Sequence, residues 1–531
     1  MPYLGPRTLG RRRFLTTAAG AVAATALPGA PAAAAARYRR YNVTSLQGQQ
    51  MLAIYARAVE RMLELPPSHP HNWFRNTFVH FMDCPHGNWW FYVWHRGYIG
   101  FFEQTIRTVS GNPSFTLPYW DWTQLPRIPA PMFDGVLDPT NARYERFTKN
   151  LAIFTNYVQP ELLKYWSTLS PAQLAQQKLR SFDNFADLWN NLRAWNKDTG
   201  IASAGDIAFA PTASARYLSR DNPGFDKTTQ ETVSAGVVQS GIDPIEFNDE
   251  QNIANGFTSR RTTSHQPSPG RGAFSILEGQ PHNTVHNYIG GAGPLNYGPF
   301  GNMTNNLSPI DPIFFLHHSN MDRLWDVWTR KQQRLGLPFL PRDPIARQQF
   351  LAEPFLFFVD GLGRYVTNGK AGDYTSTARF DYDYQPGFPE VGGPLQAQPL
   401  FAAPPGPAHT YTGTVNGTNS GTLQLPAPTL RAFAGSPASE LTLEVTIVRP
   451  GSERIFDVIL NGSYLGTFSF FAPPMPGMSM ETTFAVPVVH RAGGLLAQAA
   501  GAENGSVSIS VVASQGRGVA PKLTALAAVA R

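Results

Sequence analysis

The chain has one cysteine, Cys84, among 531 residues, so no intramolecular disulfide can form. Stability must come from packing, for which the 12% aromatic content supplies the material. Positive charge is scarcer than it first looks. The chain carries 43 basic and 37 acidic side chains, a formal +6, but four arginines and no acid lie in residues 1–36. Without that segment the balance is 39 to 37. No Lys/Arg cluster remains that reads as a nucleic-acid or membrane surface. Long apolar runs are missing too. The Ala-rich stretch "GRRRFLTTAAGAVAATALPGAPAAAAA" is short, is broken by Pro28 and Pro31, and ends at an Ala-x-Ala-type site near 34–36. It therefore reads as a cleaved leader, with no membrane anchor. Arg11 and Arg12, followed by Arg13-Phe14-Leu15, predict twin-arginine export over 1–36 and a secreted product.

The remainder, roughly 495 residues, is long enough for two or more domains. Apolar residues at helical spacing follow a Ser cap at 45–64, and a second aromatic-rich helix is predicted at 89–108. "LPYWDW" at 117–122 reads as a packed turn. Residues 123–265 are loop-rich with helical pieces such as 171–196, and a helix pair is predicted at 278–290 and 311–334. Around 385–408 Pro and Gly take over, which predicts a linker or wrapping segment. Beyond it, alternating runs at 440–448, 454–460, 464–471, 482–489 and 506–513 predict strands, with Asn461-Gly462 as a hairpin turn. The expected organisation is a leader (1–36), a mainly α catalytic domain (37–384), a linker (385–408) and a C-terminal all-β, sandwich-like domain (409–531).

Twelve histidines are present, and nine fall into two windows: His69, His71, His80, His86 and His95, then His282, His286, His317 and His318. His265, His409 and His490 read as surface or satisfied core residues. His282 and His286 are four apart, so on one helix their rings share a face. His317 or His318, on the next helix, would supply a third nitrogen. His95 opens a comparable aromatic helix, with His80 and His86 upstream. Two such triads on paired helices can bring two metals face to face in a four-helix bundle. Imidazole-only ligation suits zinc, copper, iron or nickel. The Glu-x-x-His pattern of di-iron bundles and the His-Glu-x-x-His zinc motif are both absent. Ligand chemistry alone leaves copper and zinc open.

"LPYWDW", "SPIDPIFFLHH" and "DRLWDVW", with the two histidine windows, resemble the copper-A and copper-B segments of the tyrosinase/catechol oxidase family of type-3 copper proteins. The resemblance covers roughly 45–335 and implies two copper ions, one on His80, His86 and His95, the other on His282, His286 and His318. His317 is then a neighbour of the ligands. It also implies a thioether between Cys84 and His86, because related proteins fuse a Cys-x-His in this way. The bland alternative is an ordinary buried thiol. The activity implied is a tyrosinase that o-hydroxylates monophenols and oxidises o-diphenols to o-quinones with O2. The alternatives are a catechol oxidase or o-aminophenol oxidase and, further off, a haemocyanin-like O2 carrier. Expected partners are O2 and phenolic or catecholic small molecules, with a copper-delivery protein as a further candidate.

The same resemblance assigns Glu278 and Asn283 to hold a water that deprotonates the phenol. The alternatives are a helix N-terminal acid for Glu278 and a solvated polar residue for Asn283. Asn305 falls at the family's gate position, which predicts fairly open, polar access. Asn287 replaces a cationic residue of some relatives. "RIFDVILNGSYLGTFSFFAPP" and the Tyr382/Tyr384 motif resemble the tail and domain end of plant polyphenol oxidases. The tail is therefore expected to cover the site, with Phe468–Phe471 either a plug or strand-core aromatics. "MPGMSM" (Met475, Met478, Met480) reads as loop filling or a copper-transit segment.

Overall fold

A computed structural model describes residues 36–192, 195–196, 201–202, 216–266, 272–292, 300–391, 408–435, 441–450, 453–471, 481–488, 496–497, 505–514 and 518–531. The expected leader (but for Ala36), most of the 385–408 linker, the Met475–Met480 motif and His490 lie outside these residues. Contacts divide the chain into Met1–Ala36 and Arg37–Arg531.

Five helices position the site: α1 (Leu46–Glu64), α2 (Trp73–Asp83), α3 (Phe91–Ser110), α4 (Asn283–Gly290) and α5 (Ile313–Arg334). Ser45 caps α1 by accepting from the Gly48 N–H, and Asn72 caps α2 by accepting from the Phe74 and Arg75 N–H groups. Gly111, at φ 70°, ends α3 in the left-handed conformation that glycine favours. The helices meet through rings. Phe102 of α3 stacks on Phe315 of α5 at 3.5 Å, and Trp73 of α2 packs edge-on to the same ring. Buried charges are all partnered there: Asp322 accepts from Arg40, Arg96, Tyr382 and Tyr384, so the tyrosine motif is a clasp on α5. "LPYWDW" is a buried, irregular segment, tied to the start of the unit by a Val43 N–H to Tyr119 carbonyl bond.

The first half of the predicted 278–290 helix departs from α geometry. Glu278–His282 forms a π-helical turn containing Pro281, and regular α structure resumes at Asn283. Such turns re-aim side chains and recur at functional sites.

Beyond residue 408 the described chain is mostly β. One five-stranded sheet runs in the order His409–Thr412, Lys522–Ala530, Leu441–Val448, Glu481–Pro487, Gly272–Phe274. Its last member comes from the helical region and pairs parallel, Phe274 opposite Phe484. The second sheet runs Thr414–Val415, Ser420–Gln424, Ser506–Ala513, Ile455–Leu460, Ser463–Ser469. Val445, Phe484 and Leu526 of one sheet share an apolar core with Val458 and Phe468 of the other. Asn461 and Gly462 both have positive φ, 47° and 80°, as a two-residue hairpin turn requires. The Lys522–Ala530 strand lies between two partners although its alanine content argues against a strand; pairing on both edges overrides propensity.

Candidate metal centre

Six imidazoles converge in two groups. His80 sits in the last turn of α2, His86 in the loop that follows, and His95 in the second turn of α3. Their ring centroids form a nearly equilateral triangle, 5.5 Å (His80–His86), 5.6 Å (His80–His95) and 5.5 Å (His86–His95). His282 ends the π turn, His286 lies one turn along α4, and His318 projects from α5. Their centroids are 4.6 Å (His282–His286), 5.0 Å (His282–His318) and 5.4 Å (His286–His318) apart. The triangles face one another: His95 stacks on His318 at 4.2 Å, and His86 lies 5.7 Å from His282.

Hydrogen bonds set the tautomers. Nδ1 of His80, His95 and His286 faces the carbonyl oxygens of Asn306 (2.7 Å), Phe91 (2.7 Å) and Met303 (2.8 Å). Nδ1 of His282 faces Asn283 Oδ1 at 2.8 Å. Each of these nitrogens must donate, so the Nε2 lone pairs point inward. Nε2 of His80, His86 and His95 is buried with no protein partner. Nε2 of His282 and His286 lies 3.3 and 3.2 Å from Nε2 of His318. The nitrogens of His282, His286 and His318 lie close enough together to hold a cation, and on the other side His80 and His86 lie in such a group with Cys84, with the His95 ring 5.5–5.6 Å from theirs. Burial lowers the pKa of His80 and His282 to about 3 and holds the other four well below the ordinary value, so all six rings stay neutral.

His317 is different. Trp122 Nε1 donates to its Nδ1 at 3.0 Å, which leaves the proton on Nε2 and no lone pair to offer there. His317 and His318 both lie in the possible metal-holding group with His282 and His286, but only His317 has a nitrogen lone pair committed to a protein donor. Trp122 carries no local sequence signal for this role, since its link to His317 spans 195 positions. His69 and His71 lie together away from the site, and His71 is bound to the Asp360 carbonyl. His265 is a satisfied core residue between Asp83 and Glu353, while His409 lies on an edge strand.

The Cys84 sulfur is buried 3.6 Å from Nδ1 of His86. Burial pushes its thiol up to about 12, so it is not a thiolate ligand at ordinary pH. Glu278 is fully buried; Oε1 accepts from the Gly87 N–H at 2.6 Å and Oε2 from the Ser259 hydroxyl at 2.8 Å. Loss of hydration outweighs these donors and raises its pKa to about 8. Asn283 and Asn287 reach the tail: their Nδ2 atoms donate to the carbonyls of Ser469 and Phe470, both at 2.6 Å.

Access is not open, contrary to what Asn305 suggested. Asn305 is buried, its Oδ1 accepting from the Leu307 N–H, and Arg454 of the β region donates to the Thr304 carbonyl. Gly290 lets this segment approach α4, since a Cβ there would fall 2.3 Å from Thr304 Cγ2. The mouth is filled by Phe471, 4.3 Å from His86, 4.6 Å from His286 and 5.7 Å from His282. Phe468 and Phe470 instead pack on Phe484 in the β core.

Two facing, neutral histidine clusters on a helical scaffold are groups that could hold metal ions. A family profile described as the common central domain of tyrosinase matches residues 59–331, just over half of the chain, and the chain belongs to the tyrosinase family. It is 23% identical over 346 residues to a chloroplastic polyphenol oxidase of Malus domestica, covering 62% of this chain and 46% of that one. It is 25% identical over 388 residues to tyrosinase HcTyr1 of a Hahella strain, covering 66% and 64%. The chain thus spans about half to two thirds of the length of these relatives. In fold it is similar to latent apple tyrosinase, with a TM-score of 0.54 and 19% identity over 94% of this chain and 98% of that one. Latent aurone synthase is similar at a TM-score of 0.53 and 17% identity, over 93% and 89%.

Proposed function

We propose that this chain is a copper-dependent tyrosinase that o-hydroxylates monophenols and oxidises o-diphenols to o-quinones with O2. The observation that carries the reading is the pair of facing triads with six inward nitrogens. His80, His86 and His95 would hold one copper, and His282, His286 and His318 the other. Copper bound there supplies electron exchange between O2 and the phenol. The protein's part is to keep the rings neutral and fixed, and to exclude water with the aromatic wall of Phe91, Phe314 and Phe471. Glu278, whose pKa burial raises to about 8, is read with Asn283 as holding the water that deprotonates the phenol. The Cys84 sulfur beside His86 is read as the thioether partner that locks that ring.

The finer architecture belongs to the same proposal: a four-helix bundle about the metals, a β sandwich over the mouth with Phe471 as its plug, and a leader for twin-arginine export. A copper-delivery partner would act before the tail closes. Catechol oxidase is the second reading. It is favoured by Asn283, whose oxygen and nitrogen are both engaged, with His282 and Ser469, so that it does not address a water with Glu278. Metal analysis followed by parallel assays on a monophenol and its diphenol tests both. Turnover of both supports tyrosinase, turnover of the diphenol alone supports the second reading, and a copper-loaded protein that oxidises neither overturns both.

A further inference from the structure

Four of the six rings have Nδ1 held by an oxygen, and the four oxygens come from different distances along the chain. His95 uses the Phe91 carbonyl of its own helix, and His282 the side chain of its neighbour Asn283. His80 and His286 reach away from their helices instead, to the carbonyls of Asn306 at 2.7 Å and Met303 at 2.8 Å. Those two carbonyls belong to one short segment, 302–308, although the two rings belong to different triads. One stretch of backbone thus aims one ring of each triad. Every residue of 302–308 is buried. The segment is irregular: a tight turn at Asn302–Thr304, extended backbone at Asn305, and the start of a second turn at Ser308–Ile310. Its carbonyls are therefore not fixed by a helix or sheet ladder. The Thr304 carbonyl, which lies between the two that hold rings, accepts from Arg454 of the β region. Arg454 reaches it from a firm base. Its own carbonyl accepts from the Phe470 N–H at 2.8 Å, its guanidinium lies 5.0 Å over the Phe300 ring, and the side chain is buried. A buried carbonyl that loses such a donor must turn to find another. Turning the Thr304 peptide shifts the carbonyls of Met303 and Asn306 on either side.

We propose that Arg454 is a positioning residue for both metal sites: by holding the Thr304 carbonyl it fixes 302–308, and through that segment the rings of His80 and His286. This rests on the copper reading above. Docking of the β region then sets how well both triads grip metal, without contributing a ligand to either. The two triads are also tied to one another. Whatever loosens 302–308 frees one ring on each side at once, while His95 and His282 keep their local bonds.

The test uses the full chain and begins without metal. Arg454→Met keeps a stem over Phe300 and removes the donor. In it, Nδ1–H exchange at His80 and His286, read by NMR of isotope-labelled histidine, should quicken about tenfold or more, with His95 unchanged. Arg454→Lys keeps a charged donor and should restore the protection. With copper, affinity measured against a chromophoric cuprous chelator should fall about 10–100-fold in Arg454→Met, at both sites together. Unchanged exchange at His80 and His286, equal quickening at His95, or loss of copper from one site alone would each overturn the role. If Arg454→Met does not fold, the parent chain decides. The Nδ1–H groups of His80 and His286 should open at one rate with the Leu307 N–H, which donates to Asn305 Oδ1 within the segment, and at a rate different from His95. Three unrelated rates would overturn the coupling. A parent chain that takes up no copper would overturn the copper reading beneath it, and the metal-free exchange would still decide whether Arg454 holds the two rings.

Discussion

The two halves of the metal centre are built differently. The His282/His286/His318 side rests on two helices, its rings 4.6–5.4 Å apart, with Nδ1 of His282 and His286 held by an amide oxygen and a carbonyl. The His80/His86/His95 side is spread over the end of α2, a loop and α3, and its middle ring has a sulfur as neighbour instead of an oxygen. A ring on a helix inherits its position from the backbone ladder, whereas a ring on a loop needs its own tether. The single cysteine lies beside the one ring of this side that a loop carries. It also separates roles: the helical half carries the asparagines that grip the tail, and the loop half faces Glu278 through Gly87.

Breaking the helical half should have the largest effect. His318→Ala should remove one copper and lower catechol turnover by about a thousandfold or more, read by metal analysis and kinetics. His317→Ala should retain both coppers, because its lone pair is committed to Trp122. Loss of metal from His317→Ala instead would reverse the assignment. Next comes the proposed water holder. Glu278→Gln should cost monophenol hydroxylation about a hundredfold and catechol oxidation far less; equal losses would remove its role.

On the loop half, Cys84→Ser should weaken copper binding about 10–100-fold, as loss of an orienting group does. The parent peptide should show Cys84 and His86 joined and lacking two hydrogens. Finding them unlinked would leave the sulfur as packing only. Removing the plug is a smaller change: Phe471→Ala should raise catechol turnover of the full chain about tenfold, by enlarging the fraction of open sites. Unchanged turnover would show that the ring does not limit entry.

Much of the scaffold was legible. The i, i+4 pair His282/His286 and the periodic runs of α1, α3 and α5 follow from 3.6-residue spacing. Helix α2 escapes a periodic reading because it is only three turns long, and five of the eleven residues of "WFRNTFVHFMD" are polar although nearly all are buried. The π turn at Glu278–His282 left no periodic trace, since one extra residue before Asn283 preserves the pattern on either side. The Trp122–His317 bond depends on a fold-level approach that no local pattern encodes. Phe471 resembles its strand neighbours Phe468 and Phe470 in composition, and only the bend after the Ser463–Ser469 strand separates a plug from core aromatics. Chemistry was readable where ligands repeat at fixed spacing, and unreadable where one side chain's role depends on a turn.

The contact between the β region and the helical one holds a titratable group. Glu444, on the Leu441–Val448 strand, accepts from the Ala254 N–H at 3.0 Å. Burial and Asp249 raise its pKa, while the Ala254 N–H and Arg260 oppose them, and the net result is about 7 against an ordinary 4.5. A raised carboxyl pKa means the folded state binds the proton more tightly. The associated stability is complete below pH 4.5 and is lost as pH rises through about 7, with a ceiling near ~3 kcal/mol. The melting temperature should therefore fall by a few degrees between about pH 5 and pH 8.5, relative to Glu444→Gln, which keeps the acceptor oxygen and removes the charge. The Asn283 and Asn287 bonds do not titrate. Alkali should thus loosen the outer contact while leaving Phe471 seated, so that melting shifts without a matching rise in catechol turnover. A parallel rise would show that the outer contact and the plug release together.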